Sequence, residues 1–190
     1  MNKNTLLLLF VMLLLSACGN TAKERSFTMK GTVTNTAYEG RIVYLKDAVS
    51  GTEVYDSVQI VHGKFTFAGM QDTAVVRELY VQENDSDNYP LTLPVVLENG
   101  EILVTLGNIV SVSNTPLNND MMDFLMAKDR FMDKDFTGKE PDAVKKEFSE
   151  FLVTWIIKNA GNPVGKYIYE GYNSKLDEAQ KEQVQKVSGW

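Results

Sequence analysis

The amino-acid sequence predicts an α+β domain in which an antiparallel β-sandwich or partly open barrel over residues 27–113 is followed by a helical segment over residues 114–190. Three observations carry that prediction. Up to about Ser113, apolar residues alternate with polar ones in short runs separated by turn residues, the period-two pattern of half-buried strands. From Thr115 onward they recur at spacings of three and four, as on one face of a helix. The only cysteine, Cys18, directly follows an apolar leader. The folded part is therefore held by packing, because disulfides, Cys-x-x-Cys chemistry, cysteine zinc sites and cysteine nucleophiles all need thiols that it lacks.

Lys3 and ten apolar residues, Leu6 to Leu15, open the chain. A membrane-spanning helix needs about 20 residues, whereas the apolar core of a signal peptide takes about 7 to 15, so residues 1–17 read as a leader. Leu15-Ser16-Ala17-Cys18 resembles the lipobox of bacterial lipoproteins. That resemblance implies a diacylglyceryl thioether on Cys18, cleavage before it, and acylation of the new amino group, with palmitate as the expected label. Sulfur is required there because a thiolate is the nucleophile that accepts the lipid, and two or more acyl chains anchor a protein where one does not. Residues 18–26, small and polar, read as a tether. Gly19 stands where an inner-membrane retention signal has aspartate. The expected location is thus the outer membrane of the cell envelope, on its periplasmic or its surface face.

Phe27, Met29, Gly31 and Val33 form the first alternating run, and Ile42 to Leu45 follow a turn-like stretch from Asn35 to Gly40. His62-Gly63 suits a two-residue hairpin turn, whose register would pair Ile60 with Phe65 and Val58 with Phe67 on one face. After Val75, Leu79, Tyr80 and Val81 comes a polar loop from Glu83 to Asn88, then Pro90 to Leu97. Asn99-Gly100 offers a second hairpin turn, pairing Leu97 with Ile102 and Val95 with Val104. Pro94 belongs at an edge or a bulge, since it cannot donate to a ladder.

Thr115-Pro116 reads as an N-cap with proline at the first helical position, opening a helix through Leu117, Met121, Phe124, Leu125, Lys128 and Phe131. Pro141 opens a second, with Val144, Phe148, Phe151, Leu152, Trp155 and Ile156 on one face, and Asn159 to Pro163 ends it. A short helical turn through Tyr167, Ile168 and Tyr169 comes next. Ser174 to Asp177 resembles a capping box for a last helix carrying Leu176, Ala179, Val184 and Val187. The first helix is expected to pack on the sheet and the second on the first, leaving an apolar patch and placing Trp155 in the core.

Several segments together resemble a family of N-terminal domains, DUF4369, found in thioredoxin-like lipoproteins of Gram-negative anaerobes. They are Lys30-Gly31-Thr32-Val33, Ile42 to Leu45, Asp56-Ser57-Val58, Gly63 to Gly69, Leu97 to Ile102, and Asn114-Thr115-Pro116-Leu117-Asn118. Lys158 to Gly165 resembles the helical linker of the same proteins. The resemblance implies that a thioredoxin-like domain follows in longer relatives and carries their redox activity. This chain stops at Trp190 without one, which leaves two expectations: a stand-alone accessory domain or a shortened chain.

Formal net charge is −6, and loss of Lys3 with the leader makes it one unit more negative. Nucleic acid is therefore not an expected partner, because phosphate binding depends on clustered Lys and Arg. Attraction to anionic lipid is weak for the same reason, so the anchor alone would hold the chain to its membrane. The one histidine, His62, sits at a predicted turn and reads as a turn residue. Asp85-Ser86-Asp87 superficially suggests a calcium loop, but Tyr89 and Pro90 stand where such a loop needs an oxygen ligand and glycine. Asp56-Ser57 has no histidine to activate its serine, and Gly100 and Gly107 belong to no phosphate-binding fingerprint. Tyr167, Tyr169 and Tyr172, with Phe148, Phe151 and Trp155, could stack on sugars, but their helical spacing assigns them to the core. No catalytic residue, cofactor or metal is expected. The expected function is a non-catalytic binding or scaffolding module with an envelope protein or small ligand as partner, presented by the sandwich face or the crevice between sandwich and helices. A redox-linked accessory is the alternative, and a carboxylate-based hydrolase is third.

Overall fold

The computed structural model describes residues 25–86 and 88–189; the leader, Cys18, most of the tether, Asp87 and Trp190 lie outside them. Among the described residues eight strands come first: β1 (Ser26–Val33), β2 (Ile42–Asp47), β3 (Val54–Gln59), β4 (Lys64–Met70), β5 (Val75–Val81), β6 (Leu91–Leu97), β7 (Gly100–Leu106) and β8 (Ser111–Ser113). Four helices follow among the same residues: α1 (Pro116–Met132), α2 (Pro141–Lys158), α3 (Pro163–Tyr172) and α4 (Glu178–Ser188). The strands form two four-stranded sheets, ordered β4-β1-β7-β8 and β3-β2-β5-β6. The result is the sandwich and not the barrel.

One pairing departs from the antiparallel expectation. β1 runs parallel to β7, from Phe27 opposite Gly100 to Val33 opposite Leu106. A parallel neighbour needs a long excursion between the two strands, and β2 to β6 supply it.

Both expected hairpins are corrected. His62 and Gly63 do form a two-residue turn with left-handed backbone at both positions (φ 53° and 66°), the type I′ geometry, and Val61 and Lys64 exchange both backbone hydrogen bonds across it (2.9 and 3.1 Å). Pairing ends at that bridge. Ile60 is claimed by the β2 side, donating to the Arg41 carbonyl at 2.9 Å, while β4 pairs with β1. Asn99-Gly100 likewise joins strands of different sheets, because β6 pairs with β5 and β7 with β1. Leu97, Val95, Ile102 and Val104 are buried as expected, but they meet across the sandwich interior rather than within one ladder.

The sandwich core includes Met29, Val43, Leu79, Val81, Val95, Ile102 and Leu106, all essentially inaccessible. Two motif glycines serve this core directly. Gly31 lies opposite Phe65 and Gly69 opposite Phe27 in the β1–β4 register, and each phenyl ring folds over its glycine so closely that a Cβ there would collide with the ring.

A second core joins Val76 and Val96, on the outer side of the β5–β6 edge, to Met121, Phe124, Leu152, Ile156, Val164, Ile168, Leu176 and Val184. Pro94 lies on β6, an edge strand, as expected. Asn118 closes that edge. Its Oδ1 accepts from the Val96 N–H (2.8 Å) and its Nδ2 donates to the Val96 carbonyl (2.7 Å) and to Thr115 Oγ1 (2.8 Å). A side-chain amide has one donor and one acceptor facing the same way as a strand backbone, so Asn118 substitutes for the missing neighbour of β6 and pins α1 to the sheet.

The capping box is also displaced from the expected position. Asp177, not Ser174, caps α4, accepting from the Gln180 N–H (2.8 Å) while the Gln180 side chain accepts from the Asp177 N–H (3.0 Å). Ser174 falls in a 3₁₀ turn over Asn173–Lys175, and Leu176 is drawn into the core in extended conformation before α4 can start.

A candidate binding groove in the helical half

The C-terminal end of α1, the connection from Asp133 to Glu140 and the start of α2 border an open groove of about 540 Å³. Pocket volumes of about 300 to 1,000 Å³ are typical of small-molecule sites. Phe131 and Met132 come from α1, Phe136 from the connection, Val144 and Phe148 from α2, and Tyr172 from the end of α3. Every charged residue in the lining is a lysine: Lys128, Lys145 and Lys175.

Local sequence positions these groups. The connection is folded by Asp135, whose carboxylate accepts from the Thr137 N–H (2.8 Å), and by Lys139, whose N–H donates to the Phe136 carbonyl (3.0 Å). The Thr137 hydrogen bonds hold the Asp135 carboxyl below its usual range. This turn directs Phe136 back against Phe131 (centroids 5.6 Å apart), and Phe131 also packs on Phe148 (5.3 Å) and Phe151 (5.1 Å). Tyr172 meets Phe148 edge-on at 6.1 Å. The walls are thus interlocked aromatic rings, a preformed surface rather than one that side chains must collapse to create.

At the mouth, Lys145 pairs with Asp142 (2.8 Å), and Lys139, just outside the lining, pairs with Glu147 (2.5 Å). Lys128 reaches the Tyr172 hydroxyl at 3.4 Å. Among the described residues neither Lys128 nor Lys175 makes an ion pair. The groove therefore offers apolar contact inside and positive charge at its edge.

The crevice between sandwich and helices is smaller. One part, about 280 Å³, is lined by Glu78, Thr92, Pro94, Leu125 and Tyr167 among others. Burial raises the Glu78 carboxyl, against the opposing pull of Lys46, and burial first, then Tyr172 and Glu78, pushes the Tyr167 phenol up to about 12. Lys46 Nζ sits 3.3 Å from the Tyr80 ring centroid on the same outer sheet face, so that ring's face is already occupied.

The candidates read from sequence scatter. His62 is exposed at its turn, where Glu39 clamps the backbone by accepting from His62 N–H (2.7 Å) and Gly63 N–H (2.8 Å). Asp56 accepts from its neighbour's Ser57 N–H (2.7 Å) on the exposed strand β3. Asp85 pairs with Arg41 (2.6 Å), and Asp87 lies outside the described residues. No group of three metal-ligating side chains occurs among the described residues. The aromatic sets divide: Phe148 and Tyr172 line the groove, whereas Tyr169 turns its hydroxyl to Gln185 (3.2 Å) and Trp155 is half-buried against Phe124 (5.9 Å) and Phe151 (6.3 Å). Sequence reasoning assigned all six to the core and missed the groove. The available signal was lysine interleaved with aromatic residues between Lys128 and Phe148.

A family model described as "Domain of unknown function (DUF4369)" matches residues 27–121, half of the chain. A search of curated proteins finds no match. Apart from Ser26, the matched stretch holds all eight strands, and it includes the start of α1 with Asn118; the groove lies beyond it.

Proposed function

The chain belongs to the DUF4369 family, and from that premise we propose that it is a non-catalytic binding module of the bacterial cell envelope, with the sandwich as platform and the helical groove as binding site. The groove carries this reading: a volume of about 540 Å³ lined mainly by aromatic rings, with lysines as the only charged residues in the lining. Its polar side chains are three lysines and one tyrosine, and the lining holds no histidine, carboxylate or hydroxyl nucleophile of serine or threonine beside them. The lipobox-like Leu15-Ser16-Ala17-Cys18 supports attachment through lipid on Cys18, and no helix among the described residues is long and apolar enough to cross a membrane.

The test is a solvatochromic maleimide attached to Met132→Cys at the groove mouth of the full chain, with the identically treated parent chain as background. The label should emit as from an apolar medium, and Val144→Trp, which fills the groove, should shift that emission to that of water. Water-like emission before filling would overturn the groove as a binding site.

A further inference from the structure

We propose that the groove's ligand is a single-chain anionic amphiphile, an acyl carboxylate whose tail lies along the aromatic walls and whose head meets Lys128 and Lys175. This inference rests on the groove being a binding site. Two features select the ligand class. The first is the poverty of hydrogen-bonding groups inside: Phe131, Phe136, Val144 and Phe148 present carbon only, and Tyr172 contributes one hydroxyl. A peptide laid there would bury N–H and C=O groups without partners, which is unfavourable for each one, whereas an alkyl chain has none to satisfy and gains with every CH₂ it buries. The second is charge. The protein is acidic overall, yet the lining contains lysine and no carboxylate, and Lys128 and Lys175 have no ion pair among the described residues while the neighbouring Lys145 has one with Asp142. A neutral lipid would leave those ammoniums without a counter-charge, and a cationic one would be repelled.

The experiment uses the same labelled full chain. Sodium dodecanoate should displace the tethered probe from the groove and shift its emission towards water, while 1-dodecanol, with the same tail and no charge, should do so at least about tenfold less effectively. Lys128→Glu with Lys175→Glu should weaken the dodecanoate response about tenfold, the scale of two partly exposed ion pairs, and weaken the dodecanol response by clearly less. Equal potency of acid and alcohol, or an unaltered dodecanoate response in the double variant, overturns the amphiphile assignment. So does displacement by an acidic peptide but not by dodecanoate. In those outcomes an apolar probe signal sensitive to Val144→Trp preserves the groove as a binding site; a water-like signal at the outset removes both.

Discussion

Asn118 shows how one side chain can join two halves of a fold. Its amide makes hydrogen bonds that a ninth strand would otherwise make to Val96, and it is fully buried. Asn118→Ala would leave a buried N–H and C=O unsatisfied, so a loss of about 2–4 kcal/mol is expected in denaturant unfolding. Asn118→Asp should be no better, because a carboxylate faces the Val96 carbonyl with a second acceptor. Glu39 acts at the other end of the sandwich. Hydrogen bonds from Gly63 and then His62 hold its carboxyl below the usual range. A depressed folded pKa contributes stability that is present above the unfolded value, near 4.3, and is lost as pH falls through the folded one. Glu39→Ala should therefore lower the urea midpoint at pH 7, and the gap from wild type should close with acidification below about pH 4. A gap independent of pH would refute the clamp.

At the scale of elements, the family's sequence motifs become packing devices. Gly31 and Gly69 are flat places on which Phe65 and Phe27 lie. Gly31→Ala should cost about 1–3 kcal/mol by overpacking, and Phe65→Leu in the same chain should recover part of it; additive losses would show that ring and glycine do not interact. Among the helices, α2 packs closely on α3 and α4 and reaches α1 through Phe148, Phe151 and Trp155. The expectation that α1 packs on the sheet and α2 leans on α1 thus holds through side chains. Trp155 is half-buried, with Lys158 4.4 Å over its ring. Full burial would make Trp155→Ala cost about 3–5 kcal/mol; partial cover lowers the expected loss to about 2 kcal/mol. An unchanged unfolding midpoint would place the ring outside the core altogether.

For the whole molecule, the two cores share the β5–β6 edge, where Val76 and Val96 face the helices while Val95, next to Val96, and Leu79, further along β5, face the sandwich interior. The helical half is thereby an extension of the sheet and not a free linker, which keeps the groove at a fixed place on the platform. The proposed anchor sets the remaining prediction. Labelled palmitate should enter the wild-type chain and not Cys18→Ser, because a hydroxyl is a poor substitute for the thiolate at the lipid-transfer step. Equal labelling of the two would sink the lipoprotein proposal.

Periodicity was enough to read the α+β class, the change of pattern near Asn114, the turn at His62-Gly63, the edge position of Pro94 and the proline-headed helices, because each follows from a few neighbouring residues. Which strands pair was not legible in that way. Val58 with Phe67 and Leu97 with Ile102 satisfy hairpin alternation, yet the same alternation is satisfied when the partners face one another from opposite sheets, and only the packing of the whole sandwich separates the two arrangements. The groove was hidden for a related reason. Phe148, Tyr172 and Lys175 are far apart in sequence from Lys128 and sit on helical faces that look like core, and they become a lining only because the α1–α2 connection turns Phe136 inward and α3 ends beside it. Local pattern dictates which side of an element is apolar; what that side meets, another element or open space, is decided by long-range packing.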